Sequence, residues 1–267
     1  MQVRTYLSQN EQENVVLRAF HEGCGGTLTT LDDYEPSDVA VVMGVFKKNI
    51  PVSFPRGHVI AEQRKLGKDV VILETGYINR GDGPDNHYAV GLNGLNGRAD
   101  FKNKASPPDR VTATLKDWRE GHHIVLCGQV PWDASVDFTD HKAWLELAVR
   151  NIHLRTDRPV IFRPHPKCKL QPMQGTIYST RPLEVDLKDA HACVTFNSNS
   201  GVEAALAGVP VFAFDEGSMV WDIANKSFDL IETPQRPDRS QWLADLSYCQ
   251  WTCAELREGK AWRHLFG

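Results

Sequence analysis

Residues 160–167 read VIFRPHPK, and residues 193–215 read CVTFNSNSGVEAALAGVPVFAFD. Each stretch opens on a short apolar run of strand length and delivers a polar cluster at its C-terminal end. The first cluster is Arg163, His165 and Lys167. The second is Asn197, Ser198, Asn199 and Ser200, followed by Gly201 and a helical pattern carrying Glu203. In open α/β sheets, ligands bind outside the carboxyl ends of the strands. A helix starting there offers free N–H groups and a partial positive charge to an anion. Arg meets phosphate bidentately, while Lys acts as a point charge. Pro164 and Pro166 restrict the backbone around His165, so a stiff extended segment is expected to present the imidazole. Ser198, Asn199 or Ser200 is expected to cap the helix beginning near Gly201. Glu203, in its first turn, either complements the helix dipole or accepts from ribose hydroxyls. The stretch reads as a cradle for a phosphate-bearing ligand.

The rest of the chain alternates strand and helix patterns. Residues 3–7, 38–43, 69–73, 123–126, 160–162, 176–178, 193–196 and 211–214 read as strands. Continuous apolar runs such as DVAVVM and DVVIL suit strands buried on both faces of a parallel sheet. Helices are expected over 14–21, 56–66 and 141–154; in the last, Trp144, Leu145, Ala148, Val149 and Ile152 fall near one face. Residues 79–110 are rich in Gly, Asn, Asp and Pro and read as a long functional loop region. The tail 241–265 looks helical. The fold class is therefore α/β with two Rossmann-like lobes, residues 1–118 and 119–267.

Composition narrows the function. Of 267 residues, 41% are hydrophobic and 24% charged, which argues against extensive disorder. The net charge of −4 provides no global field to recruit nucleic acid, although a local basic groove is compatible with it. Of the six cysteines, none forms a CxxC pair; Cys249 and Cys253 stand at i,i+4 spacing in the tail, with no second pair to complete a metal site. No signal-peptide core or apolar span occurs, so a soluble, cytoplasmic protein is expected.

The order HP, then S-x-S-G-x-E-A-x-x-x-G-x-P-V, resembles the C-terminal lobe of GT-B glycosyltransferases. GQVPWDASV, residues 128–136, resembles the GQ-x-x-x-D-A-S segment of the capsule-polysaccharide Kdo transferase family. The segments occur in that family's order and lie within residues 128–225. The resemblance implies two Rossmann-like lobes with parallel sheets, and a nucleotide-sugar donor in the cleft between them, held mainly by the C-terminal lobe. The matching positions are Gln129, Asp133, Ser135, His165, Ser198, Ser200, Gly201 and Glu203. Two asparagines interleaved at 197–200 depart from the pattern, and the N-terminal half has no clear match.

On this reading, Gln129, Asp133, Ser135, Arg163, His165, Lys167, Ser198, Asn199, Ser200, Gly201 and Glu203 bind the donor. An inverting reaction also needs a base beside the acceptor hydroxyl. Glu74, which ends a buried strand, is the preferred candidate, with Asp82 and Asp100 as alternatives. Gly44, followed by Lys47 and Lys48, leaves room for a close approach. No DxD stands out, so neither a metal nor a cofactor is implied. On the acceptor side, Tyr88, Arg98 and Lys102 interleave an aromatic ring with cations, a pattern that suits a nucleic-acid strand or a sugar. The size and layout also resemble bacteriophage-type glycosyltransferases that decorate hydroxymethylated pyrimidines. The expected acceptor is 5-hydroxymethylpyrimidine in DNA. The alternatives are a bacterial capsule or surface glycan with a Kdo-like donor, a sugar-nucleotide epimerase, or a non-catalytic nucleic-acid-binding module.

Overall fold

The computed structural model describes residues 1–45, 54–81, 83, 85–136, 138–168 and 170–267. They form two compact units, Met1–Val111 with Leu243–Gly267, and Thr112–Trp242. The expected division at 118/119 left the tail with the second lobe. In the structure residues 243–267 fold with the first.

The first unit contains β1 (Val3–Leu7), α1 (Glu11–Cys24), β2 (Thr27–Thr30), β3 (Val39–Met43), α2 (Phe54–Lys65), β4 (Asp69–Thr75) and β5 (His87–Leu92). Its sheet order is β11-β5-β4-β3-β1-β2, with β11 (Gln250–Thr252) supplied by the tail. The four strands β2, β1, β3 and β4 are parallel, but β5 runs antiparallel to both β4 and β11. The sheet is therefore mixed rather than parallel throughout. Burial follows the pleat: Val39, Val41 and Val71 face a core shared with α1, whereas Ala40, Val42 and Val70 face one shared with α2. Residues 79–110 are not loop alone, because β5 lies among them as an interior strand.

The tail adds β11, α7 (Cys253–Arg257) and α8 (Lys260–Phe266). Gly23 of α1 shows why it docks here: a Cβ at that position would lie 1.9 Å from the Leu256 carbonyl oxygen, so only glycine permits this approach. Trp262 meets Phe20 edge-on, with ring centroids 6.2 Å apart. The Gln250 Oε1 atom accepts from the N–H groups of Tyr77 and Ile78 at 2.7 and 3.0 Å. Cys249 precedes β11 and Cys253 begins α7, so the pair is not on one helix as its spacing suggested.

The second unit contains β6 (His123–Cys127), α3 (His141–His153), β7 (Val160–Arg163), β8 (Ile177–Tyr178), α4 (Leu183–Leu187), β9 (Ala190–Thr195), α5 (Ser200–Leu206) and β10 (Val211–Ala213), and α6 (Ser240–Ser247) spans the division. All five strands are parallel, in the order β10-β9-β6-β7-β8. Numbered within the unit, that order is 5-4-1-2-3, the Rossmann arrangement, in which the chain winds outward from β6 and restarts at β9. The carboxyl ends of β6 and β9 therefore flank the topological switch point. Ile124, Leu126, Val160, Phe162 and Val194 bury one face of the sheet against Leu145, Ala148 and Ile152 of α3.

Candidate functional site

The two strands at the switch point end on a connected polar network. Gln129 follows β6 and Asn197 follows β9, and both are buried. The Asn197 N–H donates to Gln129 Oε1 at 3.0 Å, and Gln129 Nε2 donates back to Asn197 Oδ1 at 2.7 Å. Asn197 Nδ2 donates to the Ser135 carbonyl at 2.8 Å and to Asp215 Oδ1 at 2.7 Å. Asp215 Oδ1 also accepts from the Gly217 N–H at 3.0 Å. One amide thus ties together the turns that follow β6, β9 and β10. Buried polar groups are costly unless satisfied, and here each bond satisfies another's partner.

The DAS segment hangs from this network. Ser135 donates to Asp133 Oδ1 through both its N–H, at 3.0 Å, and its hydroxyl, at 2.9 Å. Both bonds fall on one oxygen, leaving Asp133 Oδ2 for other partners. The half-buried carboxylate is fixed in place and pairs with no described cation. From the other side, the Gln129 N–H donates to His141 Nε2 at 2.9 Å. An imidazole that accepts at Nε2 carries its proton on Nδ1. Burial pushes the His141 pKa down to about 4, against a smaller opposing effect of Asp140.

Several residues differ from their sequence reading. Arg163 turns away from the switch point: its guanidinium donates to Asp186 Oδ2 at 3.0 Å and to the Arg181 carbonyl. Asp186 is fully buried and also takes Arg181 Nη2 at 2.7 Å and the Ser179 hydroxyl at 2.8 Å. Residues 164–168 form a turn rather than an extended segment. In it the Lys167 N–H donates to His165 Nδ1 at 3.1 Å, placing the neutral ring's proton on Nε2. The Lys167 side chain is exposed beside it.

The helix start at Ser200 is also built differently. Asn199 is the N-cap residue, but it has helical dihedrals and makes no side-chain cap bond. The Ser200 N–H donates to Ser198 Oγ at 3.3 Å, and those of Gly201 and Val202 go to the carbonyls of Ser198 and Asn199 at 3.0 and 2.9 Å. These N–H groups are occupied within the turn rather than free for an anion. Gly201 is a packing glycine: a Cβ would lie 3.0 Å from Val220 Cγ2 and 3.4 Å from Thr195 Cγ2 and Val211 Cγ1. Glu203 is exposed on the same turn.

In the first unit, Glu74 ends β4 half-buried, and its Oε1 accepts from the Thr75 N–H at 2.9 Å. A Cβ built on Gly44, at the end of β3, would lie 3.5 Å from Glu74 Oε2 and 3.0 Å from Arg56 Nη1. Arg56 Nη2 in turn reaches Glu13 Oε2 at 2.7 Å. The carboxyl edge of this sheet therefore holds a carboxylate, a guanidinium and a second carboxylate close together. Asp82, Lys47 and Lys48 lie outside the described residues. Asp100 is exposed and paired with Lys102 Nζ at 2.5 Å. Burial alone would raise its pKa, but the bonds from Lys102 lower it, so it is held as a carboxylate. Tyr88 and Phe101 are core residues, 5% and 6% exposed, whereas Arg98 and Lys102 are exposed. The aromatic–cation alternation that suggested a DNA acceptor is thus not a surface stripe: the rings point inward and the cations outward.

Asp215 and His141 were not among the expected site residues, and Asn197 was read as part of the polar cluster after β9 without being assigned to the donor. Asp215 had the same signal as the 163–167 cluster, a polar residue directly after an apolar strand. His141 had none beyond its place at a helix start.

With two Rossmann-like units, the fold is GT-B-like. Two solved structures from Thermosulfurimonas dismutans share it. The chain is similar to the KpsC beta Kdo 2,4 transferase with a TM-score of 0.63 and 12% identity, over 92% of this chain and 89% of that one. It is similar to the KpsC beta Kdo 2,7 transferase with a TM-score of 0.59 and 14% identity, over 100% of both chains. At these identities the likeness is one of fold. No family model matches the chain, and no curated protein matches it. Among the described residues, no helix is long and apolar enough to cross a membrane.

Proposed function

We propose that this chain is a glycosyltransferase that takes a nucleotide-activated sugar, with Kdo or a Kdo-like sugar acid as the transferred group and a saccharide hydroxyl of a surface glycan as acceptor. The observation that carries the proposal is the network at the β6/β9 switch point, where Gln129 and Asn197 hold Asp133 in place through Ser135. The switch point is where Rossmann-like sheets bind nucleotides. The likeness of fold to two Kdo transferases supports the same reading.

In this reading the sugar end of the donor lies at Asp133. Its carboxylate opposes the positive charge that grows on the sugar as the bond to the nucleotide breaks. The phosphate end meets His165, through Nε2–H, and Lys167, which together take up the charge of the leaving nucleotide. Arg163 supports the β7 end through Asp186 and does not bind the donor directly. Glu74, at the carboxyl edge of the other sheet, is the base for the acceptor hydroxyl. The saccharide acceptor replaces the DNA acceptor because the rings that would have stacked bases are buried.

The test is nucleotide release from a panel of nucleotide-activated sugars that includes activated Kdo. The expected result is turnover of the Kdo donor well above the others, with Lys167→Ala raising its KM. A protein that is neither stabilised by nor turns over any donor in the panel would refute the proposal.

A further inference from the structure

The first unit carries a second polar pocket that the donor chemistry does not use. It is open, about 400 Å³ in volume, and its walls include Arg110, Tyr248, Lys260, Arg263 and His264, with Asp109 at one side. Lys260, Arg263 and His264 stand at i, i+3 and i+4 on α8 and so share one helix face, while Ala261 and Leu265 on the other face are buried in the core. In a chain of net charge −4, this helix face gathers basic groups.

The pocket is built from fixed parts. Arg110 Cζ lies over the Trp251 ring, 3.9 Å from its centroid, and the guanidinium is neutralised by Glu255. The Tyr248 hydroxyl donates to Asp109 Oδ1 at 2.8 Å. His264 Nε2 donates to the Phe101 carbonyl at 2.8 Å, leaving Nδ1 as an acceptor. The cations that keep free donors are Lys260 and Arg263: Arg263 Nη1 donates to the Glu258 carbonyl at 2.9 Å in an exposed bond, which leaves its other N–H groups for a ligand. Lys260 is held only by an exposed pair with Glu258 at 2.8 Å, an interaction of the kind that exchanges readily with solvent.

We propose that this pocket is a subsite for a carboxylate-bearing sugar residue of the acceptor chain, an inference that rests on the glycosyltransferase reading above. Lys260 and Arg263 take the carboxylate. The half-buried Tyr248 ring offers a face for the sugar, and Asp109 and His264 Nδ1 accept from its hydroxyls. Asp109 also selects between anions: a carboxylate facing a phosphodiester or polyphosphate repels it, whereas a singly charged sugar with several hydroxyls satisfies both signs. In the sheet register, Thr75 of β4 pairs with Tyr88 of β5, which pairs with Trp251 of β11. The backbone of Trp251, whose side chain lines the pocket, therefore lies two strand spacings, about 10 Å, along the sheet from Thr75 at the end of β4.

The test titrates the full chain with a Kdo disaccharide, a neutral disaccharide and single-stranded DNA, following binding by calorimetry, and assays donor turnover separately. The Kdo disaccharide is expected to bind, the other two to bind at least about tenfold more weakly, and Lys260→Ala/Arg263→Ala to weaken Kdo binding by about tenfold or more without changing nucleotide release from the donor alone. Lys260→Arg/Arg263→Lys, which keeps both charges, is expected to restore binding. Equal affinity for the neutral sugar, preference for DNA, or unchanged affinity in the double alanine variant overturns the subsite. So does absence of Kdo binding in a protein that turns over the donor, which leaves the donor reading intact. Loss of donor turnover together with absence of Kdo binding overturns both.

Discussion

Gln129 and Asn197 bond to each other in both directions, backbone N–H to side-chain oxygen at 3.0 Å and side-chain amide to side-chain oxygen at 2.7 Å, across 68 residues of sequence. The pair closes the ends of β6 and β9 at the point where the sheet reverses its winding. Truncating either partner strands buried groups of the other. Asn197→Ala should cost about 2–3 kcal/mol in urea denaturation. The Gln129→Ala/Asn197→Ala double variant should cost less than the sum of the single variants by about 1 kcal/mol or more. Additive losses would mean that the two amides do not act as a unit.

His141 gives the switch point a dependence on pH. Its folded pKa of about 4 lies below the ordinary histidine value, so between the two the unfolded chain binds more protons than the folded one. Stability from this group is complete above about pH 6.5 and is lost as pH falls toward 4, by at most about 3 kcal/mol. His87, His191 and His264 are shifted the same way, chiefly by burial, so the wild-type curve sums several such groups. The difference between wild type and His141→Gln isolates this one. That variant keeps an acceptor for the Gln129 N–H and should show a shallower fall in stability between pH 6.5 and 4.5.

The ion cluster at Asp186 separates structure from binding. Asp186 is fully buried among Arg163, Arg181 and Ser179. Asp186→Ala leaves the largely buried Arg163 guanidinium and the buried Ser179 hydroxyl without their partner and should destabilise by about 3–5 kcal/mol. Arg163→Ala should lower the melting temperature while leaving nucleotide affinity within about threefold in the folded protein. Lys167→Ala should do the reverse. Thermal shift and calorimetry on the three variants decide the assignment.

Gly201→Ala tests whether that glycine is kept for packing. Alanine favours a helix interior over glycine by about 1 kcal/mol. Its methyl group, however, would press on Val220 Cγ2, 3.0 Å away, with Thr195 and Val211 closing the space on the other sides, and overpacking of this kind costs about 1–3 kcal/mol. A net loss of stability is expected in urea denaturation. A net gain would show that α5 has room to move off β9 and β10.

The strands β3, β4, β6 and β7 were legible in the sequence because each is a continuous apolar run buried on both faces. β2, β5 and β11 were not. TLTT is half-exposed, HYAVGL is embedded among glycines and asparagines, and QWT is three residues long in a helical-looking tail. Their positions are fixed by partners distant in sequence, as Trp251 is by Tyr88. Gln129, Asp133 and Ser135 stood out by their resemblance to the GQ-x-x-x-D-A-S segment; the Asp133–Ser135 bonds are local, whereas the partner of Gln129, Asn197, lies 68 residues further on. Arg163 was misread because its partner Asp186 lies 23 residues further on. The helix start at 198–201 looked like an open cradle because composition does not reveal that the turn uses its own N–H groups.

Sugar transfer itself is the most direct test of the role given to the β6/β9 site. Wild-type protein and Asp133→Asn, which keeps the size of the side chain and removes its charge, are incubated with activated Kdo and a Kdo-bearing acceptor, and products are read by mass spectrometry. The wild type should add a Kdo residue, and Asp133→Asn should fall by about 100-fold or more with an unchanged melting temperature. Transfer by Asp133→Asn at the wild-type rate, or no transfer by a folded wild type from any activated sugar, would contradict the assignment of this site.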